Sequence, residues 1–506
     1  KKGKAYQVKG TLEYHTDGEV FAHMKAWNPP QHPGHAAAAL RVDRAQGASF
    51  ALVYDHDREG AVRHVEVGDV RPTGAVALIV PGSLFLAASY PDYVYRTAWR
   101  TPKSLESSTV LMLFAGALVL MICSLIPQFA SRRPLSAPWP GFSTVQRVAL
   151  RKISTWLFWL TVFGYSVLGL AGVARGVTPG LILGALSGDG SSDDVKRAFE
   201  PITGITSFTQ MGIGYVIIAT LLLLGQRDRT TLRRLIIVLV IGTIRAFLAS
   251  ERLAILELLV PIVAILAMYW IGSRRESVRT AVRTAPLFLI PAAIAVFGIF
   301  EYSRSWAFYK SRSSGTFVDF AIERFAGYYA TSYNNGQLAL TFQNQLGHVP
   351  YRSLQGLWTA PGVEQIGLYE KLNGGAAPDL KPIFEMFGNP EFNNPCGICD
   401  PFVDFGHIGG FIFLACAGII VGSLYRLFAN ANPIGLLVYP PLFTGLLELP
   451  RYLYWTQGRL LPTLVVLSVT GWWLMRLERR PGSVGAGASR SKPRIDTEST
   501  ASVART

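Results

Sequence analysis

The sequence predicts an all-α polytopic membrane protein of about nine or ten transmembrane helices. A large extracytoplasmic loop and a small N-terminal β-rich domain complete the expected architecture. Three observations carry this reading. Half of the 506 residues are apolar and only 16% are charged, with a mean hydropathy of +0.29, a balance typical of chains solvated by lipid. Apolar runs long enough to cross a bilayer recur along the chain. The connections between those runs separate cleanly by charge.

From the N-terminus, residues 1–107 read as an extracytoplasmic β-rich domain. ALRVDRAQGASFALVYD and VRHVEVGDVRPTGAVALIV alternate with period two around glycine turns, as half-buried strands do. Gly74–Ser89 competes as a further span, but Pro81-Gly82 interrupts a short run, which argues against it. Such a domain needs a signal sequence or an earlier helix to get outside, and the chain starts at Lys1 rather than Met. His15, His23, His32, His35, His56 and His64 all fall in it. The HPGH run at His32 and His35 invites a metal, but Cys or carboxylate ligands at suitable spacing are missing, so surface histidines are the simpler account.

The transmembrane domain covers residues 108–476. Its spans are Ser108–Ile126, Thr155–Val173, Gly204–Leu224, Leu235–Leu248, Leu253–Ile271, Pro286–Tyr302, Gly406–Leu424, Pro433–Leu449 and Leu460–Leu474. Only Ala249–Arg252 separates the fourth from the fifth, so the two form a tight hairpin. Every odd-numbered span ends in basic residues: Arg132, Arg133, Arg147, Arg151 and Lys152; Arg227, Arg229, Arg233 and Arg234; Arg274, Arg275, Arg279 and Arg283; Arg426; and Arg476, Arg479 and Arg480. The positive-inside rule assigns these to the cytoplasm. The net charge of +15 then sets orientation and implies no nucleic acid. The even connections lie outside, the largest running from Ser303 to Phe405. Residues 477–506, rich in Gly, Ser, Ala and Arg, read as a disordered cytoplasmic tail.

Charges at membrane depth are expensive unless paired or facing a wet cavity, which makes them functional candidates. Arg245, Glu251, Arg252, Glu257, Glu301, Arg304, Glu448, Arg451 and Arg459 are of this kind, and most gather near the outer face. Asp404 and His407 stand at the same level. The bland alternative is that Arg–Glu pairs lock helices together. Arginine also suits phosphate, because its planar fork binds two oxygens at once and stays charged. The outer loop adds aromatic rings, among them Trp306, Tyr309, Tyr328, Tyr329, Tyr351, Trp358 and Tyr369, and the amides Asn334, Asn335, Gln337, Gln343 and Asn344. Rings stack on apolar sugar faces and amides bond hydroxyls, although packing and an interfacial belt also use such rings. FVDFAIERFAGYYA, Phe317 to Ala330, has the spacing of an amphipathic helix lying on the membrane surface. No phosphate-binding glycine loop is present, nor a DxD-type metal site in a soluble fold. Cys396 and Cys399 face an oxidising side, so a local disulfide or nothing is favoured over zinc.

GTIRAFLASERLAILELLVPI, FGIFEYSRSW, ERFAGYYATSYNNG, GNPEFNN…DFGHIGGFIF and LLELPRYLYWTQGR follow one another in this order. In pattern and order, from about Phe142 to Arg476, they resemble the bacterial oligosaccharide repeat unit polymerases, the O-antigen and capsule polymerases of the Wzy type. Residues 1–107 and the cysteine pair fall outside that likeness. The resemblance implies a GT-C-like inner-membrane glycosyltransferase acting on its outer side, with neither nucleotide sugar nor essential metal or other cofactor. The substrate it implies is an undecaprenyl-pyrophosphate-linked oligosaccharide, with the bilayer as its setting and a chain-length regulator as a partner protein. The growing glycan passes from its carrier to the non-reducing end of the next unit, building an O-antigen, capsule or exopolysaccharide.

The residues suit that chemistry independently. A pyrophosphate leaving group needs preorganised positive charge more than it needs acid. Arg252, Arg304, Arg451 and Arg459 are the candidates, with Arg245 deeper. The attacking hydroxyl benefits from a base in reach, for which Glu391, Asp404 and His407 are open alternatives, the last two also as an oriented pair. Tyr329, Asn334 and Asn335 are candidate sugar contacts. The rival functions are an O-antigen ligase, a transporter or flippase for the polysaccharide unit, and a scaffold subunit of an envelope complex. Transporters often show paired inverted repeats, and none is visible here.

Overall fold

A computed structural model describes residues 71–129, 142–187, 192–200, 202, 204–249, 251–271, 276–302, 306, 309–310, 315–360 and 362–478. The long helices are α1 (Pro72–Ser89), α2 (Ser107–Phe129), α3 (Thr144–Ala174), α4 (Ile205–Gly225), α5 (Arg229–Leu248), α6 (Leu253–Ile271), α7 (Glu276–Glu301), α8 (Phe317–Thr341), α9 (Asp400–Ala429), α10 (Pro433–Glu448) and α11 (Leu461–Glu478). Among the described residues every element is helical. Six stretches are long and apolar enough to cross a membrane: α1, α2, α3, Ser207–Gly225 of α4, Leu253–Trp270 of α6, and α9. α10 and α11 are shorter apolar helices.

Local chemistry explains where several of these helices start. Ser143 and Gln146 close a reciprocal capping box on α3, and Thr316 and Asp319 do the same on α8. Asp228 caps α5, and Asn432 caps α10 through the Ile434 N–H. The basic residues between α4 and α5 therefore lie beside a real helix start.

Two helix pairs frame the bundle. α9 lies along α2, and its Gly418 and Gly422 leave no room for a Cβ against the backbone of Leu120 and Ser124. Small residues permit such close approach, which supplies dispersion contact where lipid offers no hydrophobic drive. α4 lies along α3 and forms the buried centre, with Val216, Ile217, Ile218 and Ala219 all inaccessible. α10 is buried along most of its length and touches α9, α11, α6 and α1.

One end of the bundle is tied by arginines on neutral partners. Arg151 donates to the Gln226 amide at 3.1 Å, Arg234 to Thr155 at 3.0 Å, and Arg426 to the Pro127 carbonyl at 2.9 Å. At the opposite end α5, α7 and α10 finish and α6 and α9 begin.

Two expectations are corrected. Residues 72–107 belong to no strand: α1, the short helix Asp92–Ala98 and the start of α2 occupy them, while residues 1–70, with the HPGH run, lie outside the described residues. Pro81 does not break α1. α1 runs through it to Ser89; the carbonyl that loses its N–H partner is that of Ala77, and nearby Ser83 and Tyr333 donate to the Val80 carbonyl at 3.2 and 3.4 Å, tying this turn to α8. The helix that begins at Phe317 extends beyond Ala330. α8 continues to Thr341, and Ala330, Tyr333, Asn334 and Asn335 are all buried. The tail beyond Glu478 lies outside the described residues.

Candidate functional site

The site is assembled at the hairpin between α5 and α6. Arg245 in the last turn of α5 is 7% exposed and pairs with Glu251 at 2.7 Å. Glu257, one turn into α6 and 2% exposed, takes Arg459 at 2.8 Å, and Arg459 also stands 3.9 Å from Glu251. The hairpin thus gathers Arg459 from the turn before α11.

Arg252 leads into the second half of the network. It pairs with Glu301, which ends α7 and is fully buried. Arg324 of α8 approaches the same carboxylate at 2.9 Å and donates to Glu391 at 3.0 Å. Tyr309 donates to Glu391 at 2.8 Å. The Arg252 guanidinium lies 3.9 Å from the Phe297 ring centre and 4.9 Å from that of Tyr328. Arg451, in the turn after α10, is 5.8 Å from the same Tyr328 ring. It donates to Glu448 at 2.9 Å and to Asn394 at 3.4 Å. Cations over rings are favoured by the ring quadrupole, so Tyr328 couples two guanidiniums without contributing charge.

Five arginines (245, 252, 324, 451, 459) therefore face five glutamates (251, 257, 301, 391, 448). Buried charges at this depth are tolerable only when so compensated. Yet each guanidinium carries five N–H donors, more than its glutamates use. The Nε–H groups of Arg245, Arg451 and Arg459 are buried without a hydrogen-bond acceptor among the described residues, while Arg324 Nε lies 2.9 Å from Glu301. The site is balanced in charge and rich in spare donors.

Electrostatics follow the pairing. Burial pushes the Glu391 carboxyl up, but bonds from Tyr309 and Arg324 and the charges of Arg324 and Arg100 outweigh it and hold it below the ordinary value. Burial alone would lower Arg451, whereas Glu448 beside it keeps its pKa raised. Burial pushes the Tyr329 hydroxyl up to about 12, so it remains a donor.

The sequence-derived candidates divide. Arg245, Arg252, Arg451, Arg459 and Glu391 are brought into one network. Arg304 lies outside the described residues. Asn334 and Asn335 are not open to a ligand. Asn334 accepts from the Ser104 and Leu105 N–H groups at 2.6 and 3.0 Å and donates to the Pro102 carbonyl. Asn335 donates to the Phe392 and Asn394 carbonyls at 2.6 and 3.0 Å. Both are scaffolding amides that fix the strands of chain around the arginines. Tyr329 is half-buried beside Phe325, ring centres 5.2 Å apart. Asp404 accepts the backbone N–H groups of Tyr351, Arg352 and Ser353, so its carboxylate organises a turn. His407 is exposed, and no bond joins it to Asp404; Gly406, at φ 68°, kinks α9 between them.

Sequence reasoning missed Arg324 and Arg100. Arg324 stands in ERFAGYYATSYNNG, where the residues after it carry no charge; that shift in composition marked burial. Arg100 has the left-handed φ of 50° and stands 5.7 Å from the Tyr309 ring centre. Gly327 admits Trp99 next to it, where a Cβ would meet the indole at 2.6 Å. Cys396 and Cys399 form a disulfide, and the turn they close is tied to the arginine turn. Cys396 N donates to Arg451 O at 3.1 Å and Ile398 N to Leu449 O at 3.0 Å.

A cavity of about 450 Å³ adjoins this network, bordered by Arg352, Gln355, Asn393, Asp400, Tyr452 and Gln457. Among the described residues no three His, Cys, Asp or Glu side chains are grouped to hold a metal ion. No family model, curated protein or solved structure matches the chain, so its chemistry is argued from these residues alone.

Proposed function

We propose that the chain is an integral-membrane glycosyltransferase that polymerises oligosaccharide units carried on undecaprenyl pyrophosphate, at the outer face of a bacterial inner membrane. In this reading α5, α7, α10 and α11 cross the bilayer beside the six long apolar stretches. The end where arginines meet neutral partners faces the cytoplasm, in accord with the positive-inside rule. The paired end faces out.

One observation carries the reading. Arginines from the α5–α6 hairpin, from α8 and from the turn after α10 converge at a single level of the bundle, with buried N–H donors to spare. A diphosphate presents oxygens to such donors, and a preorganised, water-poor site makes them effective as the leaving group gathers charge. The bond from the sugar's anomeric carbon to pyrophosphate breaks, its electron pair leaving with the carrier phosphate. A hydroxyl of the next unit forms the new glycosidic bond and gives its proton to a base. Glu391 is the candidate base in contact with the network; held low, it is ionised at neutral pH and free to orient that hydroxyl.

The test is the surface-glycan profile of a strain deleted for this chain and of one carrying Arg252→Ala at unchanged membrane abundance. Polymerase loss leaves single repeat units on their final acceptor. Retention of long chains in both strains rules the proposal out, and accumulation of carrier-linked polymer points instead to a ligase.

A further inference from the structure

Three features of the cavity bear on what it holds. Its volume of about 450 Å³ falls within the roughly 300–1,000 Å³ of small-molecule sites. The side-chain amides of Gln355, Asn393 and Gln457 border it and bond to no other side chain or backbone group among the described residues. The charges on its wall balance: Arg352 pairs with Asp400 at 2.5 Å, and Asp379 and Lys381 are of opposite sign.

That wall is built rather than loose. Asp404 gathers three consecutive N–H groups across Tyr351 to Ser353. Thr456 donates to the Arg352 carbonyl at 3.3 Å, and a Cβ on Gly356 would meet the Thr456 carbonyl at 2.8 Å. Two segments more than a hundred residues apart are thereby clamped together. The far side is Tyr452, whose ring carries the Arg451 guanidinium 5.5 Å from its centre. Asn393 precedes Asn394, itself a partner of Arg451. The cavity and the arginine network therefore share a wall.

An amide both donates and accepts, as a sugar hydroxyl does, and an aromatic ring offers a flat apolar face to a pyranose. A free anion would call for unbalanced positive charge, and an acyl chain for a wall without the amides and charges that here stand among Leu380, Phe384 and Leu453. We infer that this cavity holds the glycan of the lipid-linked substrate, with Gln355, Asn393 and Gln457 bonding its hydroxyls and Tyr452 stacking on a ring. This rests on the proposed polymerase reading and extends it from the diphosphate to the sugar.

The experiment measures binding of two probes to the full chain in lipid nanodiscs: undecaprenyl pyrophosphate alone, and the undecaprenyl-pyrophosphate-linked repeat unit extracted from the parent strain. The variants are Gln355→Ala with Gln457→Ala, and separately Asn393→Ala. The double variant should weaken binding of the sugar-bearing probe by about thirtyfold, from two lost hydrogen bonds of roughly 1 kcal/mol each, and leave the bare carrier within about twofold. Unchanged binding of both probes, or equal weakening of both, overturns the assignment. A wild type that binds the bare carrier and gains nothing from the sugar overturns it too, with the diphosphate site intact. Binding of neither probe removes the underlying reading and the cavity assignment with it.

Discussion

The two ends of the bundle treat the same side chain in opposite ways. At the end we assign to the cytoplasm, Arg151, Arg234 and Arg426 bond to an amide, a hydroxyl and a carbonyl. At the other, Arg245, Arg252, Arg324, Arg451 and Arg459 are buried or nearly so and meet glutamates. The first end needs only excess positive charge near water, and any arginine at about that depth will do. The second needs particular arginines, because an ion pair withdrawn from water is tolerable only when its geometry is satisfied. Orientation is thus a property of composition, and the site a property of position.

The largest expected contrast comes from removing one charge at each end. Glu301 is fully buried and serves both Arg252 and Arg324. Glu301→Ala strands two cations and should cost about 3–5 kcal/mol of stability, read as a lowered unfolding midpoint in detergent. Arg151→Ala, at an exposed bond to Gln226, should stay within about 0.5 kcal/mol. Equal effects at the two ends would dissolve the distinction.

The next effect concerns the turn that aims Arg451. Cys396 and Cys399 close a loop of sequence separation 3, for which chain entropy allows about 2 kcal/mol. Cys396→Ser with Cys399→Ser should lower the midpoint by that order and shorten glycan chains, because the turn bonds directly to the Leu449 and Arg451 carbonyls. Shorter chains without a lowered midpoint would show that the turn positions the arginine yet adds little to stability.

These contrasts show what was legible. The helix ends at Leu248 and Leu253 are those read from the sequence, because Ala249–Arg252 interrupts two apolar runs with charge. Length and charge asymmetry are local quantities, so spans and polarity follow from them. α1 was misread because a proline does not by itself end a helix that is packed along its length, and α1 is held by contacts as distant in sequence as Tyr333, 253 residues from the Val80 carbonyl it meets. Arginines near one level were expected from topology, and Arg–Glu pairing was the alternative weighed; which glutamate meets which arginine was not legible. Asn334 looks like a sugar ligand in a string of letters, yet it holds the chain before α2. Asp404 looks like a base and is the organiser of a turn. Both roles depend on residues distant in sequence.

Asp404→Asn sharpens the comparison on the paired side. An amide keeps one acceptor oxygen and turns an N–H₂ toward N–H groups now served by Asp404, so one hydrogen bond of about 1 kcal/mol is lost. The wall around Arg352 should loosen, with shorter chains and a slightly lower midpoint at neutral pH.

The smallest effect distinguishes the two ends by acid. At the basic end the acid held below its ordinary value is the helix cap Asp228, by the Thr231 hydroxyl and not by an ion pair with a buried arginine. Glu391 is different, being held below its ordinary value of 4.5 by Tyr309 and Arg324. A carboxyl that binds protons less readily in the folded chain than in the unfolded one stabilises the fold. That contribution is complete above 4.5 and fades as pH drops through the lowered native value. Glu391 is 44% exposed, so solvent screening keeps the effect modest. Unfolding midpoints between about pH 6 and pH 3 should fall less steeply in Glu391→Gln than in the wild type. Parallel curves would mean that Glu391 is not held by Arg324 in the membrane-embedded protein, and would detach the candidate base from the arginine network.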